Sequence, residues 1–266
     1  MFDSFIPILP YFLFCFGALL GSFGNVVIYR LPRNESIVRP RSRCQSCKAP
    51  VAWYDNVPIF SWFILRGKCR SCGCKYSFRY PLVELLMAGL FLAAYLYVGL
   101  QWVLIEYLIF IFGLVIVTFI DIDHFILPDV FTLGGIVIGL VGAALNPDRS
   151  FSDSVIGVVI GGGFLWAIAY FYFLLRKEEG LGGGDIKLLG WIGAVLGWKA
   201  IPMTIISSSL IGSVFGLVAA TRGGKGMKTV IPFGPYLALG ALLYIFGGEG
   251  LGKWYLSLFL PSLEQP

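Results

Sequence analysis

Two short strings place carboxylates where apolar sequence ends or begins. Asp121 and Asp123 lie in FIDIDHFILPD, residues 119–129, and Asp185 lies in GLGGGDIKLLG, residues 180–190. Two carboxylates held close together share one proton, because like charges at short range do not both ionise readily. One of them then activates a water while the other polarises a peptide carbonyl. The strings favour an aspartyl protease with Asp121 and Asp185 as its pair.

Other polar residues compete for these roles. Residues two apart on a helix point to opposite sides, so only one of Asp121 and Asp123 can face Asp185. Asp129 follows a Leu-Pro pair, which is ordinary sequence for a helix start, and we interpret it as part of a first turn. The single histidine, His124, is interpreted as structural.

Two other function classes account for part of the pattern. The Asp-x-Asp spelling of Asp121 and Asp123 also occurs in membrane glycosyltransferases, where it holds a metal and a sugar nucleotide. Buried carboxylates also relay protons in transporters. Neither class accounts for the glycine-rich string before Asp185 together with the cysteine pairs.

Four cysteines form two Cys-x-x-Cys pairs separated by 21 residues. They are Cys44, Cys47, Cys69 and Cys72, with Cys74 close behind. Four thiolates at this spacing suit one tetrahedral zinc ion, and a closed set of four leaves no open position for catalysis. Disulfides are the alternative, which a reducing cytoplasm disfavours. We expect a structural zinc that supports a loop too small to fold alone.

The composition indicates a membrane protein. Hydrophobic residues make up 58% of the 266 residues and charged residues only 13%, which is too little polar surface for a soluble domain. Small-residue pairs four apart, such as Gly135 with Gly139 and Gly157 with Gly161, predict close packing between spans. The fold class expected is an all-α polytopic membrane protein with a small zinc-ribbon-like loop domain. Its eight candidate spans are residues 5–29, 81–99, 102–120, 130–145, 155–175, 186–198, 201–220 and 232–247.

The positive charges orient the chain. Residues 30–80 contain eleven of the twenty Lys and Arg residues and only two acidic residues. The positive-inside rule makes the side that carries this segment cytoplasmic, and alternating spans place both aspartates of the pair at the same face. Basic residues beside a membrane contact anionic lipid headgroups, so we expect membrane lipids as partners and no nucleic acid.

Several motifs, taken in order along the chain, resemble one family. They are GSFGNVVIYRLP at residues 21–32, DIDxxxLPD from Asp121, GGGD ending at Asp185, and IPFGPYLALGA at residues 231–241. Together with the cysteine pairs they are similar to the bacterial type IV prepilin peptidases, which are GxGD intramembrane aspartyl proteases.

The resemblance implies a bifunctional enzyme of the bacterial inner membrane. It would cleave the leader peptides of prepilins and pseudopilins after a glycine, on the cytoplasmic side, for type IV pili or protein secretion. It would then N-methylate the new N-terminal residue with S-adenosylmethionine. Its catalytic residues map to Asp121 and Asp185. Residues 1–80 would form the methyltransferase part, with Gly21, Asn25 and Arg30 as candidates for the methyl-donor site, and residues 81–266 the peptidase.

Overall fold

The computed structural model describes residues 7–178, 182–222 and 231–259, with the side chains of residues 222, 249 and 251–259 left out. The described residues are predominantly helical and contain no strand. The helices are α1 Leu9–Arg30, α2 Phe60–Ile64, α3 Arg79–Val98, α4 Trp102–His124, α5 Asp129–Leu145, α6 Phe151–Arg176, α7 Gly183–Leu196, α8 Ala200–Arg222 and α9 Gly234–Phe259. Residues 31–78 join α1 to α3 through α2 and two short 3-10 helices.

Each predicted span contains a helix among its described residues, and the helices differ in length. Residues 5 and 6 of the first predicted span lie outside the described residues. Five helices in the described part are long and apolar enough to cross a membrane: α1, α3, α4, α6 and α8. Helix α5 and residues 234–248 of α9 are shorter apolar helices, and α7 has 14 residues. The all-helical, multi-span fold is therefore confirmed, while the count of eight spans stays a prediction.

The chain forms two compact units, residues 1–120 and 121–266, with the division inside α4. In the first unit α1 packs directly against α3. A Cβ added at Gly17 would lie 2.8 Å from the Cα of Ala88, and one at Gly21 would lie 2.7 Å from the Cα of Glu84. The two helix backbones therefore touch, which any larger residue at these glycines would prevent.

The second unit is built around α7, which contacts α5, α6, α8 and α9. Its contact with α6 is backbone to backbone, because a Cβ at Gly157 would lie 2.3 Å from the carbonyl oxygen of Gly193. Helix α5 approaches through Gly135, where a Cβ would lie 2.3 Å from the Trp191 ring. The expected close packing at the small-residue pairs is confirmed here, and it holds the short α7 in a fixed place.

Candidate active site and cysteine cluster

Asp121 lies in the last turn of α4. It is only 5% exposed, although polar residues near a helix end usually reach solvent. The helix ends at His124 because Phe125 adopts a left-handed backbone conformation with φ of 55°. The chain then runs outside regular secondary structure as far as α5, and Leu127 in this stretch is buried.

Asp185 lies in the first turn of α7 and is 9% exposed. Leu127 packs against the glycine that precedes it, because a Cβ at Gly184 would lie 2.9 Å from the Leu127 Cβ. Leu127 also packs against the first residue of α9, where a Cβ at Gly234 would lie 3.1 Å from Leu127 Cδ2. One leucine therefore draws together the starts of α7 and α9 beside the end of α4.

The backbone of α9 supplies the hydrogen bond to Asp121. The Gly234 N–H donates to Asp121 Oδ2 at 3.0 Å, and a Cβ at Gly234 would lie only 2.6 Å from that oxygen. Asp185 Oδ1 is buried and has no hydrogen-bond partner among the described residues. Leu127 contacts both the glycine before Asp185 and the glycine that bonds to Asp121, so the two carboxylates lie on either side of one contact. A buried acid oxygen without a partner next to a second acid is suited to hold a water or a substrate carbonyl.

The competing polar residues lie elsewhere. Asp123 is exposed and His124 is half-buried. Asp129 opens α5, and its Oδ1 accepts a hydrogen bond from Lys187 Nζ at 2.6 Å. The structure thus buries Asp121 and Asp185 and leaves Asp123 and Asp129 at the surface.

Three positioning features were not identified from the sequence: Leu127, Gly234 and the ion pair of Asp129 with Lys187. Gly234 lies within the IPFGPYLALGA string, which was matched as a motif without a role for its glycine. Leu127 is the leucine of the DIDxxxLPD string, which was likewise matched without a role for that residue. Both depend on contacts between segments far apart in the chain.

The four cysteines converge as the spacing predicted. The Sγ atoms of Cys44, Cys47, Cys69 and Cys72 all lie within 4.8 Å of one another, and those of Cys44 and Cys72 are 3.8 Å apart. Tetrahedral Zn–S bonds of roughly 2.3 Å place the sulfurs about 3.8 Å apart. The donor set therefore fits one tetrahedral metal ion.

The two cysteine pairs share one backbone pattern. The Cys44 N–H donates to the Ala49 carbonyl at 2.9 Å, and the Cys69 N–H donates to the Cys74 carbonyl at 2.8 Å. Each loop then closes through a residue with left-handed φ, Lys48 in the first and Gly73 in the second. Cys74 therefore occupies in the second loop the position of Ala49 in the first. Although its Sγ lies 3.3 Å from that of Cys44, Cys74 is not one of the four cysteines whose Sγ atoms all lie within 4.8 Å of one another.

The thiols are arranged to balance a cation. The backbone N–H of Cys47 lowers the pKa of the Cys44 thiol to about 5, with burial opposing it. The Ala49 N–H also lowers the pKa of Cys47, but burial and three neighbouring thiols outweigh it and raise that pKa to about 11. Four ionised thiols at this spacing require a positive charge among them, which a metal ion supplies.

The candidates for the methyl-donor site have structural partners. Asn25 Nδ2 donates to the Tyr80 carbonyl at 3.0 Å, and Arg30 Nη1 donates to the carbonyls of Ser36 and Pro40, each at 2.9 Å. Both side chains also line a cavity between α1, α3 and the joining loop. Gly21 instead lies in the contact between α1 and α3.

Comparison with known proteins decides the family. Residues 15–98 match the model of the Bacterial Peptidase A24 N-terminal domain, and residues 108–217 match the Type IV leader peptidase family. A relative from Aeromonas hydrophila is 38% identical, and the match covers 93% of each chain. The chain belongs to the type IV leader peptidase family. The resemblance found in its motifs is thereby confirmed.

Further relatives support the assignment of the chain to the leader peptidase family. One from Myxococcus xanthus is 40% identical over 98% of this chain and 80% of its own. One from Pseudomonas aeruginosa is 34% identical over 90% of this chain and 91% of its own. These two and the Aeromonas protein are named prepilin leader peptidase/N-methyltransferase. No solved structure matches the chain.

Proposed function

We propose that this protein cleaves the leader peptides of prepilins and pseudopilins and N-methylates the residue that cleavage exposes. One observation carries the peptidase part. Two aspartates 64 residues apart in the chain are both buried where Leu127 packs three helix ends together. Burying two carboxylates together is costly for stability, so a pair of this kind favours a catalytic role.

In the proposed reaction Asp121 and Asp185 share a proton above the scissile bond. One carboxylate takes a proton from the attacking water, and the other donates a hydrogen bond to the carbonyl oxygen of the glycine that ends the leader. The Gly234 N–H fixes the orientation of Asp121. Asp185 Oδ1, which has no hydrogen-bond partner among the described residues, offers a hydrogen-bonding position for the water. Collapse of the tetrahedral intermediate then returns a proton to the leaving amine.

Zinc is the metal proposed for the cysteine cluster. Four thiolates at tetrahedral spacing favour zinc over harder cations such as magnesium or calcium, which prefer oxygen. The ion would cross-link the two loops of residues 44–49 and 69–74. With all four positions filled by cysteine, it would act in folding and not in the chemistry.

The methyl group is proposed to come from S-adenosylmethionine, whose methyl sulfonium group supplies an electrophilic carbon. Residues 1–80 would form the methyltransferase part and residues 81–266 the peptidase. Asn25 and Arg30 line the cavity of the first unit, in agreement with a donor site there. Gly21 would contribute by letting α1 approach α3.

The proposed location is the bacterial inner membrane, with the cysteine loop and the aspartates on the cytoplasmic side. The apolar helices support a multi-pass membrane protein. The eleven basic residues at 30–80 support the orientation, because positively charged loops are retained in the cytoplasm.

Cleavage of a purified prepilin in detergent tests the peptidase proposal. Asp121→Asn and Asp185→Asn should each lower the cleavage rate by about a thousandfold, the size expected for loss of an acid–base group. Asp123→Asn is the matched control, since Asp123 lies on the same helix end but is exposed, and it should cleave at the wild-type rate. A substrate that has already been cut should still be methylated by both inactive variants. Cleavage that survives in Asp185→Asn would overturn the assignment.

A further inference from the structure

The cavity of the first unit is formed by three segments that no sequence motif links. It encloses about 200 Å³ between the end of α1, the start of α3 and the loop of residues 31–78, and it is open to the surface. Its walls mix aromatic rings, amides and charged groups of both signs. A mixed lining of this kind is typical of a site for a polar small molecule.

Glu84 provides a negative charge in the wall of this cavity. The residue is 8% exposed, yet it lines the cavity. Its Oε2 accepts a hydrogen bond from the Ile59 N–H at 2.6 Å, and the Ser22 hydroxyl also contacts it. No positively charged group is among these partners, so the site is suited to a cation from outside the chain.

The turn that contacts Glu84 is strained. Ile59 has a φ of 66° and a ψ of −58°, values that a β-branched residue rarely adopts. The Phe60 N–H donates to the Pro58 carbonyl at 2.7 Å and closes a three-residue turn around Ile59. The loop adopts this costly conformation where its N–H meets the buried acid, and strain of this kind concentrates at functional sites.

The rest of the lining complements a ligand with both charges. Tyr29, Trp62, Tyr76 and Tyr80 surround the cavity, and aromatic faces attract sulfonium and ammonium cations. Arg43 and Lys48 line the same cavity, and either offers a positive charge to a carboxylate. S-adenosylmethionine carries a sulfonium, an ammonium and one carboxylate, together with an adenine ring that can stack on an aromatic side chain.

We infer that this cavity is the binding site of the methyl donor, and that Glu84 is the residue that selects a positively charged ligand. The inference rests on the proposed use of S-adenosylmethionine and assigns it a place in the fold. It also extends the methyltransferase part beyond residue 80 into the second turn of α3. The cysteine loops form one wall of the site, because Tyr76 lines the cavity and its hydroxyl contacts Cys44.

Direct binding of S-adenosylmethionine to the full-length protein in detergent, measured by isothermal titration calorimetry, tests the inference. Glu84→Gln should weaken binding by about tenfold or more, since losing one charge of a buried pair has effects of at least this size. Glu178→Gln, which changes an exposed carboxylate outside the cavity, should bind normally. Prepilin cleavage by Glu84→Gln should stay near the wild-type rate and shows that the variant is folded.

A second variant tests the cavity without changing a charge. Val51 is half-buried and lines the cavity, so Val51→Trp should fill it and abolish donor binding. Val38→Trp is its matched control, because Val38 lies in the same loop, is 76% exposed and does not line the cavity.

The outcomes separate this inference from the proposed function. If wild type neither binds the donor nor methylates with it, the proposed use of S-adenosylmethionine fails. If wild type binds it and both cavity variants bind equally well, the location is wrong. If Glu84→Gln binds the donor normally but does not methylate, Glu84 acts on the acceptor amine and the assignment is overturned. If Glu84→Gln does not fold, normal binding by Val51→Trp still overturns the location.

Discussion

The cysteine cluster and the aspartate pair are assembled in opposite ways. All four clustered cysteines lie within residues 44–72. Backbone hydrogen bonds between residues close in sequence fix the conformation of each cysteine loop. Asp121 instead meets Asp185 across 64 residues and the Gly234 N–H across 113. The first site is closed locally and completed by a metal. The second exists only when α4, α7 and α9 are packed.

This difference determines how each site fails. A cluster of thiols that need a cation should lose its shape when one ligand or the metal is removed. A pair positioned by helix contacts should tolerate changes in polarity nearby but not added volume at the contacts. The two sites can therefore be impaired separately, and each of the following variants is chosen to affect one of them.

The largest effect is expected at the cluster. Cys44→Ser removes a ligand that is 1% exposed, and structural zinc in small domains contributes roughly 10 kcal/mol or more to folding. The loop of residues 31–78 should unfold locally and release its metal. Methylation of a pre-cut prepilin should be lost, because the loop forms a wall of the proposed donor site. Metal content by mass spectrometry and methylation by the mass of the product measure both effects.

Cys74→Ser is the matched control for this variant. Its Sγ lies 3.3 Å from that of Cys44, but Cys74 is not one of the four cysteines that could hold a metal ion together. This variant should keep one metal per chain and methylate normally. A loss of metal in Cys74→Ser equal to that in Cys44→Ser would contradict the assigned ligand set.

The next effect is expected where α9 approaches the aspartates. Gly234→Ala places a methyl group 2.6 Å from Asp121 Oδ2 and 3.1 Å from Leu127, so the hydrogen bond to Asp121 must break or the helix must move. We expect cleavage to fall by about a hundredfold, in keeping with the cost of misplacing a reacting group by about 1 Å. Methylation of a pre-cut substrate should persist. The ratio of the cleavage rate to the methylation rate, compared with that of wild type, shows whether the variant impairs the peptidase alone.

Gly183→Ala is the control for the steric argument. Gly183 lies two residues before Asp185, and a Cβ there would meet nothing within 4 Å among the described residues. It should cleave at close to the wild-type rate. If Gly183→Ala were as damaging as Gly234→Ala, the glycines would matter for backbone flexibility and not for close contact.

The sequence predicted most of the components of both sites. Thiols at Cys-x-x-Cys spacing and acids beside apolar runs are recognisable because their types and intervals are unusual. Each apolar run also became a helix, since runs of this length in a bilayer must satisfy their own backbone hydrogen bonds. The type of each element and its chemistry are encoded locally.

The supporting contacts could not be predicted in the same way. Leu127 and Gly234 act through contacts with segments far along the chain, and a leucine or glycine in an apolar protein is unremarkable. The left-handed φ of Phe125 was equally unpredictable, because a residue of its type rarely adopts it. The cavity beside Glu84 was not predicted as a whole, since the end of α1, the start of α3 and the loop of residues 31–78 combine to form it.

The smallest effect is expected at the ion pair that joins the starts of α5 and α7. Lys187 Nζ and Asp129 Oδ1 are 2.6 Å apart, with side chains 38% and 57% exposed. Exposed pairs of this kind contribute about 0–1 kcal/mol, so Lys187→Ala should slow cleavage by no more than about fivefold, with methylation unchanged. The charge-swapped double variant Asp129→Lys with Lys187→Asp should recover most of that loss, because it restores the pair with its charges exchanged. Equal loss in the single and double variants would mean that Lys187 acts directly on the substrate, and the aspartate site would then extend to the surface of α7.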